Sequence, residues 1–246
     1  MYGIQYAGTC QKGNVRKINQ DNIVSKQQYL PECSDGTIGI YSGENKLAKN
    51  ELFGVFDGIG GGQRGEAASY IAAKTAAEWN PSDHRASLLS LCRDINRRIC
   101  EYTEANKLNA CGTTAAMLLL DDNGAIGCNI GDSRIYHYRN GKLIQLSEDH
   151  VLPAFQGQKA PLLQFLGIPE NEMFIQPTIF YRDYMDQDLF LLCSDGLTDM
   201  LPENLILNYL SSGESPNTMA QNLLDSALSF GGKDNISFFL IRICEL

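Results

Sequence analysis

Apolar and polar residues fall along this chain in short blocks, and the blocks mark out most of its elements. Residues 2–9 read as a first strand, and a second strand-like run follows Asp21. The stretch 31–50 carries Pro31, Gly36, Gly39 and Gly43 among polar residues, which predicts a loop or a loose hairpin. Residues 51–57, Glu-Leu-Phe-Gly-Val-Phe-Asp, form an apolar run ending on a carboxylate, the pattern of a buried strand with an acid at its tip. A glycine cluster (Gly58, Gly60, Gly61, Gly62, Gly65) leads into an alanine-rich helix over about 64–79, ended by Asn80-Pro81. Ser82 and Asp83 can cap a second helix over about 84–107. Its Leu88, Leu91, Cys92, Ile95 and Ile99 recur at three- and four-residue steps, a stripe that reads as core rather than as a binding surface.

Four strand-like segments then come quickly, at 112–120, 125–131, 134–139 and 142–146. Asp122-Asn123-Gly124 and Arg139-Asn140-Gly141 supply hairpin turns between them. Residues 147–174 are irregular, with Pro153, Gly157, Pro161, Gly167 and Pro169, and read as loop plus a short helix around 160–166. Strands resume at about 175–181 and 188–194, a helix covers about 216–229, and a last strand covers 235–243. Strands interrupted by paired helices, rather than strictly alternating with them, favour α+β over a doubly wound parallel sheet. Residues 1–246 read as a single domain, large enough to bury roughly 70% of its unfolded surface.

Charge narrows the function. The formal net charge is −9, with 29 acidic against 20 basic residues, which argues against nucleic-acid binding. No basic start precedes a long apolar run, and no apolar stretch approaches the ~20 residues that span a bilayer. The expectation is a cytoplasmic protein, without a membrane partner, whose eight cysteines are reduced, buried structural thiols. No Cys-x-x-Cys pair points to zinc, and His84, His137 and His150 lack zinc spacing and read as structural. There is no Gly-x-Ser-x-Gly elbow and no P-loop, and Gly58–Gly62 makes a poor dinucleotide fingerprint.

Five aspartates are the candidate chemistry. Asp57, Asp132, Asp195 and Asp234 each sit at or beside the end of an apolar strand, next to Gly or Asn, and Asp21 stands just before another strand-like run. Carboxylates gathered near a core repel one another and lose hydration. Mg²⁺ or Mn²⁺ removes that cost and suits carboxylates, a backbone carbonyl and retained waters. Any one of these aspartates is better explained as turn chemistry; five together weaken that explanation, but periodicity alone does not bring them together in space.

The motifs, taken in order, go further. They are Arg16-Lys-Ile-Asn-Gln-Asp21, Val55-Phe-Asp-Gly-Ile-Gly-Gly61 continuing to Gly65-Glu-Ala-Ala-Ser69, Gly112-Thr-Thr-Ala115, Asn129-Ile-Gly-Asp-Ser-Arg134, Leu192-Cys-Ser-Asp-Gly-Leu-Thr-Asp199 and Lys233-Asp-Asn-Ile-Ser237. This set spans nearly the whole chain and resembles the metal-dependent protein phosphatases of type 2C (the PPM family), particularly its compact bacterial members. The resemblance implies a four-layer α-β-β-α sandwich, two antiparallel sheets flanked by helix pairs, with two or three Mn²⁺ or Mg²⁺ ions in a cleft at one edge. It implies hydrolysis of phosphoserine and phosphothreonine in proteins, by direct attack of a water or hydroxide shared by two ions about 3.5–4 Å apart. No phosphoenzyme is needed.

Carried over position by position, the resemblance makes Asp57 the carboxylate that bridges two ions and Gly58 the donor of a backbone carbonyl to the second. Asp195 and Asp234 resemble the other ligands of the first ion, and Asp21 the carboxylate that holds metal-bound water. Asp132, with Asp195, resembles the pair holding the third, weaker ion, and Arg16 the arginine that clamps the substrate phosphate. The implied partners are phosphorylated proteins, including a serine/threonine kinase and its substrates, met by a monomer. Two positions depart from the family pattern. Ile59 stands where animal members commonly have a histidine and bacterial members often methionine, which leaves the general acid unassigned, a metal-bound water being the candidate. The segment between Asp149 and Leu189 is short for the flap that covers the cleft. Two other readings stay open: a pseudophosphatase kept as a binding module, and a phosphohydrolase of small phosphate esters.

Overall fold

The computed structural model describes residues 1–32, 37–47, 50–59, 64–80, 84–121, 123–153 and 159–246, with the side chains of 84–87 outside the description. The glycines at 60–62, the helix caps at 82–83, and Asp122 therefore lie outside the described residues. In chain order the elements are β1 (Tyr2–Gln11), β2 (Asp21–Ser25), β3 (Gln28–Tyr29), β4 (Ile38–Lys46), β5 (Glu51–Ile59), α1 (Gly65–Glu78) and α2 (His84–Ala105). Then come β6 (Gly112–Thr113), β7 (Ala115–Asp121), β8 (Gly124–Ile130), β9 (Arg134–Arg139), β10 (Lys142–Gln145), β11 (Thr178–Arg182) and β12 (Leu189–Cys193). The last are α3 (Asp195–Thr198), α4 (Glu203–Leu210), α5 (Pro216–Ser229) and β13 (Ile236–Glu245).

The strands divide into two antiparallel sheets. One runs β10-β9-β12-β13-β1-β4, the other β11-β8-β7-β5-β2-β3, with β6 pairing β5. Three apolar layers follow from which side chains point where. Phe53, Val55 and Leu118 of one sheet meet Phe190, Phe239 and Ile241 of the other in the central layer. There the rings of Tyr6, Phe53 and Phe239 pack edge to face, with centroids 5.3 and 5.2 Å apart. The predicted stripe Leu88, Leu91, Cys92, Ile95, Ile99 joins the alanines of α1 over the outer face of the second sheet. Ile206 and Leu210 of α4 and Met219, Leu223 and Ala227 of α5 cover the outer face of the first. At roughly 1.5–3 kcal/mol for each fully buried large apolar side chain, these layers are what hold the sandwich together. Seven cysteines among the described residues are free, five of them buried.

Three expectations need correction. Residues 31–50 are not merely a loop or a loose hairpin: β4 pairs with β1 from Gly3↔Lys46 to Cys10↔Ile38. As an edge strand it needs no apolar run, and Gly43 is there to admit the Tyr6 ring, whose hydroxyl would lie 2.5 Å from an added Cβ. The short helix around 160–166 is absent. Its backbone groups are spent on distant partners instead: Leu163 N–H donates to the His150 carbonyl, and Thr113 and Leu166 exchange a reciprocal pair of 2.9 Å bonds. Helix α4 has no counterpart in the sequence pattern, because Leu205, Ile206, Tyr209 and Leu210 span barely two turns, too few to establish a period.

At the edge opposite the candidate cleft, a buried polar cluster joins the two sheets. Arg139 on β9 holds the nearly inaccessible Asp188 through a two-pronged contact at 2.6–3.1 Å. Arg182 on β11 donates to Nδ1 of the buried His137 at 3.0 Å. Nε2 of His137 lies 3.1 Å from Asp188 Oδ2, close but poorly aligned for a hydrogen bond. Burial pulls the Asp188 pKa up, but the contacts from His137 and Arg139 and the Met185 N–H outweigh it and hold the carboxyl at about 2.

Candidate active site

The central strands of both sheets end at one edge, and their carboxylates meet there. Asp57 closes the apolar run of β5, and the register of the β2–β5 pair sets Asp21 directly across from it. Asp132 follows β8, Asp195 follows β12 and Asp234 precedes β13. A cavity of about 470 Å³ lies among them, lined by Arg16, Asp57, Gly58, Asp132, Asp195 and Asp234. Those are six of the seven residues singled out in the sequence. The seventh, Asp21, sits behind the wall, 4% exposed.

Backbone packing holds these groups in place. Gly58 is wedged between two chain segments, so that an added Cβ would lie 2.2 Å from the Gly65 carbonyl and 2.5 Å from that of Gln20. The Asp57 carbonyl accepts from Thr114 N–H at 2.8 Å and from the Thr113 hydroxyl at 2.9 Å, and Asp57 N–H donates to Thr114 Oγ1. Thr114 Oγ1 also meets Ser133 Oγ at 2.6 Å, linking the strand end at Asp57 to the turn at Asp132. That turn is anchored behind by His150, which donates its N–H to the Gly131 carbonyl and accepts Gly131 N–H at Nδ1. Arg134 grips Asp149 with two nitrogens at 2.6–3.1 Å.

Charge in the cleft is crowded. Burial, then the neighbouring Asp21, Asp132 and Asp234, push the Asp57 carboxyl well above its usual range; it is partly exposed and lines the cavity. Burial pushes Asp21 up to about 6, and burial also raises Asp132. Two cations answer the crowding. Arg16 Nη2 contacts Asp234 Oδ2 at 2.7 Å, and Lys159 Nζ pairs with Asp195 Oδ2.

With the carboxylates turned to these cations, no three acidic, histidine or cysteine side chains form a ready-made metal cage among the described residues. The donor set nonetheless fits divalent ions. Asp21 Oδ1 and Asp195 Oδ1 are buried without a hydrogen-bond partner among the described residues, a costly state that a cation relieves. Mg²⁺ and Mn²⁺ also take only one or two carboxylates each, completing their shells with water and carbonyl oxygens.

Residues 42–226 match the family model described as protein phosphatase 2C. The chain belongs to that family, the metal-dependent serine/threonine phosphatases. Among its relatives, the serine/threonine phosphatase Stp of Listeria welshimeri is 31% identical over 211 residues, covering 76% of this chain and 82% of that protein. The solved Mycobacterium tuberculosis serine/threonine phosphatase PstP superposes with a TM-score of 0.79 at 26% identity, over 99% of this phosphatase and all of that chain. The PstP catalytic domain in complex with two manganese ions gives 0.78 at 27% identity, with both chains fully covered.

Several residues of this phosphatase's site were not singled out in the sequence. Ser194 Oγ donates to Asp21 Oδ2 at 2.9 Å and accepts from Ser237 N–H. Asn235 accepts from Gln20 N–H and donates to the carbonyls of Lys12 and Ile18, which pins the Arg16 loop against β13. Both stand inside quoted motifs, next to Asp195 and Asp234, so their adjacency was the available signal. Lys159 lies in no motif and nothing in its sequence context marks it. The segment between β10 and β11 also supplies Ala160, Leu162 and Phe165 to the cavity wall. Ile59 lines the cavity too, where it offers no proton.

Proposed function

We propose that this phosphatase acts through the seven residues around the cleft, as one catalytic domain over residues 1–246. In this reading Asp57, Asp195, Asp234 and the Gly58 carbonyl would hold two divalent ions, Mn²⁺ or Mg²⁺, with Asp57 serving both. Asp132 with Asp195 would hold a weaker third, and Asp21 would hold metal-bound water from behind. The observation that carries it is the convergence of four aspartates from separate strand ends on one cavity, with Asp21 paired to Asp57 behind the wall and two buried carboxylate oxygens without a hydrogen-bond partner among the described residues.

When bound, such ions supply an activated water and offset the charge of a phosphate dianion. The chain's own part is to hold the carboxylates fixed at one edge, and to offer the phosphate a cation. Arg16, half exposed at the cavity mouth, is the residue for that contact once its bond to Asp234 is released. The single-domain reading is supported by Arg16 and Asp234, which come from opposite ends of the chain to the same wall. Phosphoserine and phosphothreonine proteins are the substrates in this reading, an opposing serine/threonine kinase and its targets among them, with a monomer acting in the cytoplasm.

The deciding experiment measures hydrolysis of p-nitrophenyl phosphate and of a phosphothreonine peptide with Mn²⁺, with Mg²⁺ and with chelator. Metal-dependent turnover of both substrates, lost in Asp57→Asn, is the expected result. Turnover of small esters but not of the peptide would move the assignment to a small-molecule phosphohydrolase. Folded protein that turns over neither would be a binding module.

A further inference from the structure

Lys159 has no place in the mechanism above, yet its ammonium is set into the carboxylate row. It pairs with Asp195 Oδ2, lies 3.9 Å from Asp199 Oδ2, and forms part of the cavity wall with Asp132. Its charge eases the ionisation of both Asp57 and Asp132. The Asp195 side chain is only 7% exposed, so water does little to screen the pair on that side.

We propose that Lys159 is a built-in counter-cation that competes with a third divalent ion for the Asp132–Asp195 edge of the cleft. The inference rests on the reading that these carboxylates bind divalent ions. The two oxygens of Asp195 then have different fates. Oδ1, buried and without a hydrogen-bond partner among the described residues, stays available to the ion held with Asp57 and Asp234. Oδ2 is the contested oxygen, because an ammonium and a divalent ion that both rest on it repel each other at close range. This chain therefore holds two ions firmly and a third only when the ammonium is displaced. Arg16 stands in the same relation to Asp234, but there the released cation has a task at the phosphate.

Isothermal titration of Mn²⁺ into the chelator-stripped full chain tests this. Lys159→Met keeps the apolar stem and removes the charge, and Lys159→Gln serves as a second neutral variant should the first fold poorly. The expected result is unchanged tight binding together with a weak last event tightened on the order of tenfold, the scale of a partly exposed ion pair with one buried partner. Adding Asp132→Asn should remove that event, and Lys159→Arg should behave as the native chain. Superimposable isotherms for native and neutral variants would overturn the proposal. If those variants also raised KM for the peptide, Lys159 would be a substrate contact instead. Absence of any Mn²⁺ binding by the folded native chain would sink the underlying metal reading.

Discussion

Asp21 and Asp57 face each other across the β2–β5 ladder, two carboxylates in register at the buried edge of the cleft. Like charges placed opposite one another on a sheet are destabilising, and burial makes this pair more so. The arrangement persists because β2 and β5 are otherwise well packed: Ile23, Val24, Phe53, Val55 and Phe56 are at most 2% exposed. The fold thus carries a charge conflict at its functional edge and meets the cost in its core.

Asp57→Asn removes one charge from that conflict without changing the side chain's size. Hydrolysis should fall by roughly 10²–10³ or more, the scale for losing a preorganised electrostatic group. In chelator the variant should melt at the same temperature as the native chain or a few degrees higher. Near-native kcat, or a markedly lower melting point in chelator, would contradict the assignment.

Stability of the metal-free protein should rise on acidification. The Asp21 carboxyl has a pKa of about 6 when folded, against about 3.9 in an unfolded chain. Between those values the folded state holds the extra proton. The stabilisation is full below about pH 4 and is lost as pH rises through 6. Saturating Mn²⁺ should reverse the trend, since protons then displace metal. Melting temperatures at pH 7 and pH 5, with Asp21→Asn as reference, isolate the effect; a slope in chelator identical for both chains would count against it.

Ser194→Ala should cost about 1–3 kcal/mol, the range for orphaning buried polar groups. It strips a donor from Asp21 Oδ2 and leaves the Ser237 N–H without its acceptor. Urea denaturation in chelator reads this directly, and a change under about 0.5 kcal/mol would mean that the bond contributes little.

Gly196→Ala should damage metal binding as well as stability, since the new Cβ would lie 1.8 Å from the Asn235 carbonyl oxygen. Overpacking of this kind costs typically about 1–3 kcal/mol, and here the backbone that must move carries Asp234. Loss of Mn²⁺ affinity alongside stability is the expected signature, measured by calorimetry and thermal melting on the same sample.

Arg16→Ala should raise KM for a phosphopeptide roughly tenfold or more with less effect on kcat, as loss of a charged phosphate contact does. Its exposure limits any effect on stability, because an exposed ion pair contributes at most about 1 kcal/mol. An unchanged KM would remove Arg16 from the phosphate site.

The sequence by itself determined the elements that repeat long enough to declare a period. The α2 stripe from Leu88 to Ile99 is buried as its spacing required, and α5 occupies 216–229 as read. It also marked every aspartate at the cleft, since a carboxylate closing an apolar strand conflicts with its surroundings and so stands out. Tertiary structure decided what depends on distant partners. β4 is a strand because β1 supplies its hydrogen bonds, and 160–166 is not a helix because Thr113 and His150 claim its backbone. It also decided the site's internal arrangement: strand register sets Asp21 against Asp57, and Lys159 reaches Asp195 across 36 residues. Local composition records what a residue can do, whereas register and long-range contact fix what it meets, and the cleft is made of such meetings.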